Sequence, residues 1–203
     1  MEVDKATVVA DVLCEFFEVA FHSILYVRNL YPLGCFEQRL KYNVPVQMCC
    51  HPDVKQYIGE LISSLKVLLL KNSADYIKFV ICKGNGDIIE RFVFEVDHQR
   101  MVKDFETDSF LLTLNEKLRG FLLKLSTCDS LLTETHSDRS WTVQVHTNHS
   151  GLLQMQEIQC TQDFSWVSAD DAEIQMENAS LIPVKSMVSF PIKMQLYIEE
   201  KDL

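Results

Sequence analysis

The chain has 203 residues, 47% hydrophobic and 24% charged, a balance that suits one ordinary globular domain and excludes wholly disordered and fibrous classes. Lys and Arg number 19 against 29 Asp and Glu, a formal net charge of -10, which argues against direct, non-specific binding to nucleic-acid phosphates. The seven cysteines are scattered, odd in number and without a CxxC pair, a pattern of a reducing compartment rather than of a secreted disulfide framework.

No basic region precedes an apolar run at the N-terminus, which opens with Glu2, Asp4 and Lys5, so no secretory signal is expected. The first helix is read from Val9, Val12, Leu13, Phe16, Val19, Ala20, Ile24 and Val27, which recur at helical spacing. Asp11, Glu15, Glu18 and His22 form a polar stripe opposite, so this run is amphipathic rather than a membrane span, and Pro32 with Gly34 is expected to end it. A second helix begins near Pro52, a residue favoured in the first turn, and carries Val54, Tyr57, Ile58, Leu61, Ile62, Leu65 and Leu68 inward until Asn72. Tyr76–Lys83 ("YIKFVICK") and Ile88–Val96 ("IIERFVFEV") then read as antiparallel strands joined at Gly84-Asn85-Gly86-Asp87.

A third helix starts after Thr107 or Asp108 and places Leu111, Leu114, Leu118, Phe121 and Leu125 on one face; its length suits a central helix. Gly120 inside it costs about 1 kcal/mol relative to Ala, which predicts a close neighbour there. Ser140–Thr147 ("SWTVQVHT") alternates Trp141, Val143 and Val145 with polar residues, a strand with one buried face. From about Asn148 the texture turns acidic and aperiodic while keeping Phe164, Trp166, Ile174 and Met176, so this stretch is expected to be ordered by docking. The chain closes with Leu181–Phe190 and then Ile192–Glu200, the latter a strand that alternates Ile192, Met194, Leu196 and Ile198 with polar partners.

The chemical signals are few. Cys49-Cys50-His51 has the residue types of a zinc site, but zinc takes about four ligands in paired spacings and the second pair is missing. His146 and His149 would point to opposite faces of a strand. A thiol nucleophile needs an oriented base, and His51 in that role stays open on sequence grounds; the plainer reading is two buried cysteines leading into a helix. The "GNGD" stretch is a turn and too short to cradle phosphate, while Asp170-Asp171 and Glu199-Glu200 read as charged surface. Trp166, in a polar stretch, reads as an interface anchor or as core packing.

Val8–Ala20 ("VVADVLCEFFEVA"), Tyr42–Pro52 ("YNVPVQMCCHP"), Leu181–Lys185 ("LIPVK") and Lys193–Glu200 ("KMQLYIEE") together resemble the HORMA-domain family over essentially the whole chain. The resemblance implies an α+β fold, three helices on a mainly antiparallel sheet. It divides residues 1–203 into a core of about 1–147 and a C-terminal safety belt of about 148–203 that closes over a short partner peptide.

A non-catalytic adaptor without cofactor or metal is implied. Tyr57 and Trp166 match the residues that hold the peptide, and Cys49-Cys50-His51 keeps a corner beside it. Leu181, Gln195 and Tyr197 match the face that receives the C-terminal domain of a Y-family deoxycytidyl transferase scaffold, the captured peptide coming from the catalytic subunit of translesion DNA polymerase zeta. On the last strand Gln195 and Tyr197 share a face opposite Met194, Leu196 and Ile198. Arg119 and Lys124 resemble the positive surface through which HORMA domains pair, as homodimers or heterodimers. The further partners implied are shieldin, an AAA+ remodelling ATPase and activators of the anaphase-promoting complex. The implied location is the nucleus, with cytoplasm and spindle, and no membrane. An alternative within the family is a spindle-checkpoint protein that restrains such an activator. The chain departs from the family pattern at Cys49, Gly120 and Pro191, the last removing a backbone donor just before the final strand.

Overall fold

A computed structural model of the protein describes residues 5–98, 107–133, 138–147, 151, 153, 164–169, 176, 178–189 and 192–201. His149, Asp170, Asp171, Ile174 and Pro191, all named above, lie outside the described residues, as does Cys160. In chain order the elements are α1 (Lys5–Val27), β1 (Phe36–Lys41), β2 (Val44–Cys49), α2 (Pro52–Leu70), β3 (Ala74–Lys83), β4 (Ile88–His98), α3 (Thr107–Leu125), β5 (Arg139–Thr147), β6 (Ala179–Ser189) and β7 (Ile192–Lys201). The fold is α+β, as the sequence implied.

Both α1 and α2 end at asparagine. Asn29 and Asn72 adopt positive φ of 51° and 52°. The Leu30 N–H reaches the Leu25 carbonyl and the Ser73 N–H the Leu68 carbonyl, the six-to-one bond of a Schellman stop. α1 therefore ends at Asn29, ahead of the Pro32 and Gly34 expected to stop it. Besides the expected stripe, Cys14, Phe17, Phe21 and Leu25 are buried, so α1 is enclosed on several sides and packs against α2, α3 and β2. The central helix is thus α1 and not α3, whose Leu112, Asn115, Glu116, Arg119 and Lys124 face solvent.

The five-stranded sheet has the order β5-β3-β4-β7-β6 and is antiparallel throughout. Its inward residues, among them Ile77, Phe79, Phe92, Phe94, Met194, Leu196 and Ile198, join the helices in one core. Phe94 sits edge-on to both Phe16 and Phe17, with centroids at 6.1 and 5.4 Å, and Phe121 of α3 meets Phe16 at 5.9 Å. β1 and β2 form a separate hairpin that the sequence reading missed. Its two turn residues, Tyr42 and Asn43, both have positive φ (51° and 54°), positions that Asn-Gly normally fills. A tyrosine in the first hides the turn; its hydroxyl donates to the Val12 carbonyl of α1 at 3.2 Å, which helps hold the conformation.

At one end of the sheet a buried charge cluster ties four segments together. Arg28, just past α1, donates to Glu90 of β4 at 2.9 Å and also pairs with Asp129 after α3. Glu200 of β7 accepts from the Thr133 N–H and hydroxyl at 2.7 and 2.6 Å. Burial pushes the Glu90 carboxyl upward, and the Arg28 hydrogen bond and charge pull it back. Removing one partner of such a pair leaves an uncompensated buried charge, at a cost of about 3–5 kcal/mol.

His22, expected on the polar stripe, is 2% exposed. Its Nδ1 accepts the Cys49 N–H at 3.2 Å, which joins α1 to the end of β2. Burial first, and then Lys55, lowers its pKa from 6.5 to about 4. Between those values the unfolded chain binds a proton that the folded chain refuses, so this contribution is complete above pH 6.5 and lost as pH falls toward about 4. The full loss amounts to about 3 kcal/mol. Denaturant titrations at about pH 7 and about pH 5 should find the parent protein weaker at the lower pH by about 2 kcal/mol more than His22→Gln, which keeps an acceptor but does not titrate. Equal pH dependence in both proteins would show that His22 is not the source.

Candidate functional site

α2 begins at Pro52, with Asp53 in its first turn, and residues seven apart share a helix face. Tyr57 and Ser64 are so related, and Tyr57 reaches Trp141 of β5. Val54, Ile58, Leu61, Ile62, Leu65 and Leu68 are buried as expected, but Tyr57, expected inward with them, is 39% exposed. It is a surface ring, partly covered by its aromatic neighbours. Burial and then Tyr31 raise its phenol pKa.

Trp141 of β5 stacks on Phe79 of β3 at 5.0 Å and 11°, and its indole N–H donates to the Tyr31 hydroxyl at 3.1 Å. Tyr57 meets Trp141 edge-on at 5.3 Å and Phe164 at 5.7 Å; Phe164 in turn meets Trp166 at 5.2 Å. The Trp166 indole N–H donates to the Ser64 hydroxyl at 3.1 Å. Five rings therefore run in contact from the sheet, across α2, to the segment 164–169. Of these, Tyr57, Phe164 and Trp166 were singled out in the sequence, and the structure brings them together.

Trp141, Phe79, Tyr31 and Ser64 were not read as parts of a site. The i, i+7 relation of Tyr57 and Ser64 was legible, whereas contact with Trp141 depends on how β5 meets α2. The wall offers ring faces, hydroxyls and an indole, which suit recognition of an extended chain through stacking, apolar burial and hydrogen bonding.

The wall lies at the end of the sheet, where among the described residues β3 is the only strand neighbour of β5. β6 occupies the opposite end. The connection from β5 to β6, which contains Phe164 and Trp166, thus leads from one sheet edge to the other.

The structure places the remaining residues on separate surfaces. Leu181 stands opposite Glu199 across β6 and β7, so it shares a sheet face with Gln195 and Tyr197. Leu181 and Gln195 are exposed and Tyr197 half-buried, its phenol pushed up to about 12 by burial, then by Glu199, Glu95 and Tyr76. Arg119 and Lys124 are exposed on α3, and Arg119 borders a groove with Glu15, Leu40, Tyr42 and Leu112. Lys185 fills the neighbour position predicted at Gly120: a Cβ there would lie 2.6 Å from its Cε.

At the corner Cys49 is buried, while Cys50 and His51 are exposed, so only one of the two cysteines expected inside is inside. Burial first raises the Cys49 thiol pKa. Among the described residues no group of three or more His, Cys, Asp or Glu is disposed to hold a metal ion, and no helix is long and apolar enough to cross a membrane.

The family model of the HORMA domain matches residues 10–159. The human protein named "Mitotic spindle assembly checkpoint protein MAD2B" is 45% identical over 194 residues, covering 96% of this chain and 92% of its own. The Arabidopsis thaliana "DNA polymerase zeta processivity subunit" is 29% identical, covering 94% of this chain and 85% of its own. Among solved structures, a chain of the "Crystal Structure of Mitotic Checkpoint Complex" superposes with a TM-score of 0.78 at 19% identity, covering 96% of this chain and 99% of its own. "C. elegans HTP-2 bound to HTP-3 closure motif 1" superposes with a TM-score of 0.70 at 10% identity, covering 96% and 87%. At these identities the solved structures speak to fold alone.

Ser64→Ala removes the acceptor of the Trp166 indole and should weaken local docking of residues 164–169 by about 1 kcal/mol. Hydrogen exchange should read this as faster exchange of those amides, and faster still in Trp166→Ala. Unchanged exchange in both variants would show that α2 does not hold the segment.

Proposed function

This chain belongs to the HORMA domain family, and from that premise we propose that it is a non-catalytic adaptor that captures a short partner peptide beneath a C-terminal safety belt. The observation that carries the reading is the sheet order, in which the successive strands β5 and β6 lie at opposite edges and their connection passes the aromatic wall. A peptide adding to the β5 edge gains main-chain hydrogen bonds, and the rings of Tyr57 and Trp166 select its side chains. The core then comprises about residues 1–147 and the belt about 148–203.

The captured peptide comes, in this reading, from the catalytic subunit of translesion DNA polymerase zeta, a choice supported by the name of the Arabidopsis relative. Leu181, Gln195 and Tyr197 take the C-terminal domain of the Y-family scaffold, so the adaptor bridges two polymerases. Pairing with a second HORMA domain through Arg119 and Lys124, service to shieldin in double-strand-break repair, and remodelling by an AAA+ ATPase extend the same reading. These partners place the protein in the nucleus, with cytoplasmic and spindle pools. The net charge of -10 leaves DNA contact to the partners. A second reading, restraint of an activator of the anaphase-promoting complex, is favoured by the name of the human relative.

Co-expression with peptides tiled across the polymerase catalytic subunit tests the first reading, and activator peptides run in parallel test the second. A belt must peel away before its peptide leaves, so affinity should reside in a slow off-rate. Tyr57→Ala and Trp166→Ala should each accelerate dissociation about tenfold, the effect of losing roughly 1.4 kcal/mol. Capture fails as an account if both substitutions leave dissociation unchanged and residues 164–169 exchange equally with and without peptide.

Leu181→Ala or Tyr197→Ala should weaken the scaffold domain by about 2 kcal/mol while peptide stays bound. Loss of both partners together would mean that the fold was damaged.

A further inference from the structure

The turn that joins α1 to the β1–β2 hairpin and the corner that joins the hairpin to α2 place two cysteines against each other. Cys35 ends the short 3-10 turn Leu33–Cys35, and Cys50 follows β2 directly. Phe36 pairs with Cys49, so one further step of the register sets Cys35 opposite Cys50. The Cys50 N–H donates to the Cys35 carbonyl at 2.7 Å, while the Cys35 N–H turns back to the Pro32 carbonyl, so a single backbone bond holds the two residues together just beyond the ladder. Residues opposed across antiparallel strands have Cα atoms about 4.5–5.5 Å apart, and the Cys50 N–H bond keeps this pair close to that spacing, inside the window of roughly 4.4–6.8 Å that a disulfide requires.

The Cys50 Sγ lies 3.0 Å from the Cys35 carbonyl oxygen, so the thiol leans over its opposite residue. Cys50 is exposed and Cys35 half-buried, an arrangement of one sulfur open to an oxidant and a second beside it to resolve the product. Cys49 is turned to the core and buried; Cys14 and Cys128 are also buried, each thiol pushed up to about 12, chiefly by burial. Those three are protected from oxidation by burial and protonation.

We propose that Cys35 and Cys50 form a reversible oxidation site, closed to a disulfide by hydrogen peroxide and reopened by a dithiol reductant. The Cys50 sulfur attacks one peroxide oxygen, the O–O bond breaks, and the departing oxygen leaves as water, giving a sulfenic acid on Cys50. The Cys35 sulfur then attacks that of Cys50, the S–O bond breaks, and hydroxide departs with the Cys35 proton as a second water. Two thiols lose two electrons in total, and one peroxide becomes two waters. The bridge would tie the turn before β1 to the residue before His51 and Pro52, where α2 and its Tyr57 begin. The site is independent of peptide capture: it requires only the hairpin.

The test treats the full chain with hydrogen peroxide, blocks free thiols, digests it and maps linked peptides by mass spectrometry. Expected is an intramolecular Cys35–Cys50 linkage with loss of two hydrogens, reversed by dithiothreitol and retained in Cys49→Ser. Cys50→Ser should abolish the linkage and leave Cys35 reduced. Cys35→Ser should leave a Cys50 sulfenic acid that dimedone traps. The proposal is overturned if peroxide leaves Cys35 and Cys50 unlinked in the parent chain, links Cys35 to Cys49 instead, or joins Cys50 only between molecules.

Discussion

The contact of α1 with Phe94 of β4 is the constraint on which the rest of the molecule depends. Phe16 and Phe17 approach that ring edge-on, and Phe21 lies 6.4 Å from it on the next turn of the helix. Edge-to-face pairs contribute about 0.5–1.5 kcal/mol each beyond area burial, and they also fix the roll of α1 over the sheet. With that roll set, α2 and α3 both pack on α1, and β2 rests against it. β4 then has β3 on one side and β7 on the other, so the β3–β4 hairpin is joined to the C-terminal β6–β7 hairpin through the pairing of β4 with β7. Across β4 and β7, Phe94 stands opposite Leu196, which extends the same core into the final strand.

Three further contacts hold the C-terminal hairpin where that core receives it. Glu200 reaches the chain after α3 through Thr133, beside the buried pair of Arg28 and Glu90. Lys185 of β6 lies against Gly120 and over the ring of Phe121 at 5.9 Å, a seat that a Cβ on Gly120 would occupy. Lys117 donates to the Val188 carbonyl. Pro183 is accommodated because β6 is an edge strand and its register shifts between Pro183 and Lys185. The exposed side of α3, with Arg119 and Lys124, therefore belongs to the helix that grips β6 from its other side.

The aromatic wall and the cysteine corner adjoin the same helix, α2, the corner at its start and the wall along Tyr57 and Ser64, but depend on different forces. Trp141, Tyr57, Phe164 and Trp166 form a wall because ring edges and faces attract while two indole N–H groups find hydroxyl acceptors. The corner rests on backbone: the Cys49 N–H reaches His22 and the Cys50 N–H reaches Cys35. Its backbone bonds leave one sulfur, that of Cys49, buried, and the other, that of Cys50, exposed and donating to the Cys35 carbonyl.

Much of this was determined by the sequence alone. Apolar periodicity is a local property, so α2, α3, the β3–β4 hairpin and the β5 and β7 strands were legible from spacing, and the segments quoted for the HORMA resemblance carried the family. Only tertiary structure decided that α1 rather than α3 is central, because Phe17, Phe21 and Leu25 widen its apolar surface beyond one stripe, and such a helix is buried by whatever surrounds it. The same holds for His22, placed on the stripe by period and inside by β2, and for Tyr42, whose αL conformation needs a hydroxyl partner 30 residues away. Tyr57 reads as core from its spacing, yet stands at the surface because contact across α2, β5 and the segment 164–169 is set by the sheet order. That order is a matter of long-range pairing, which no local pattern encodes.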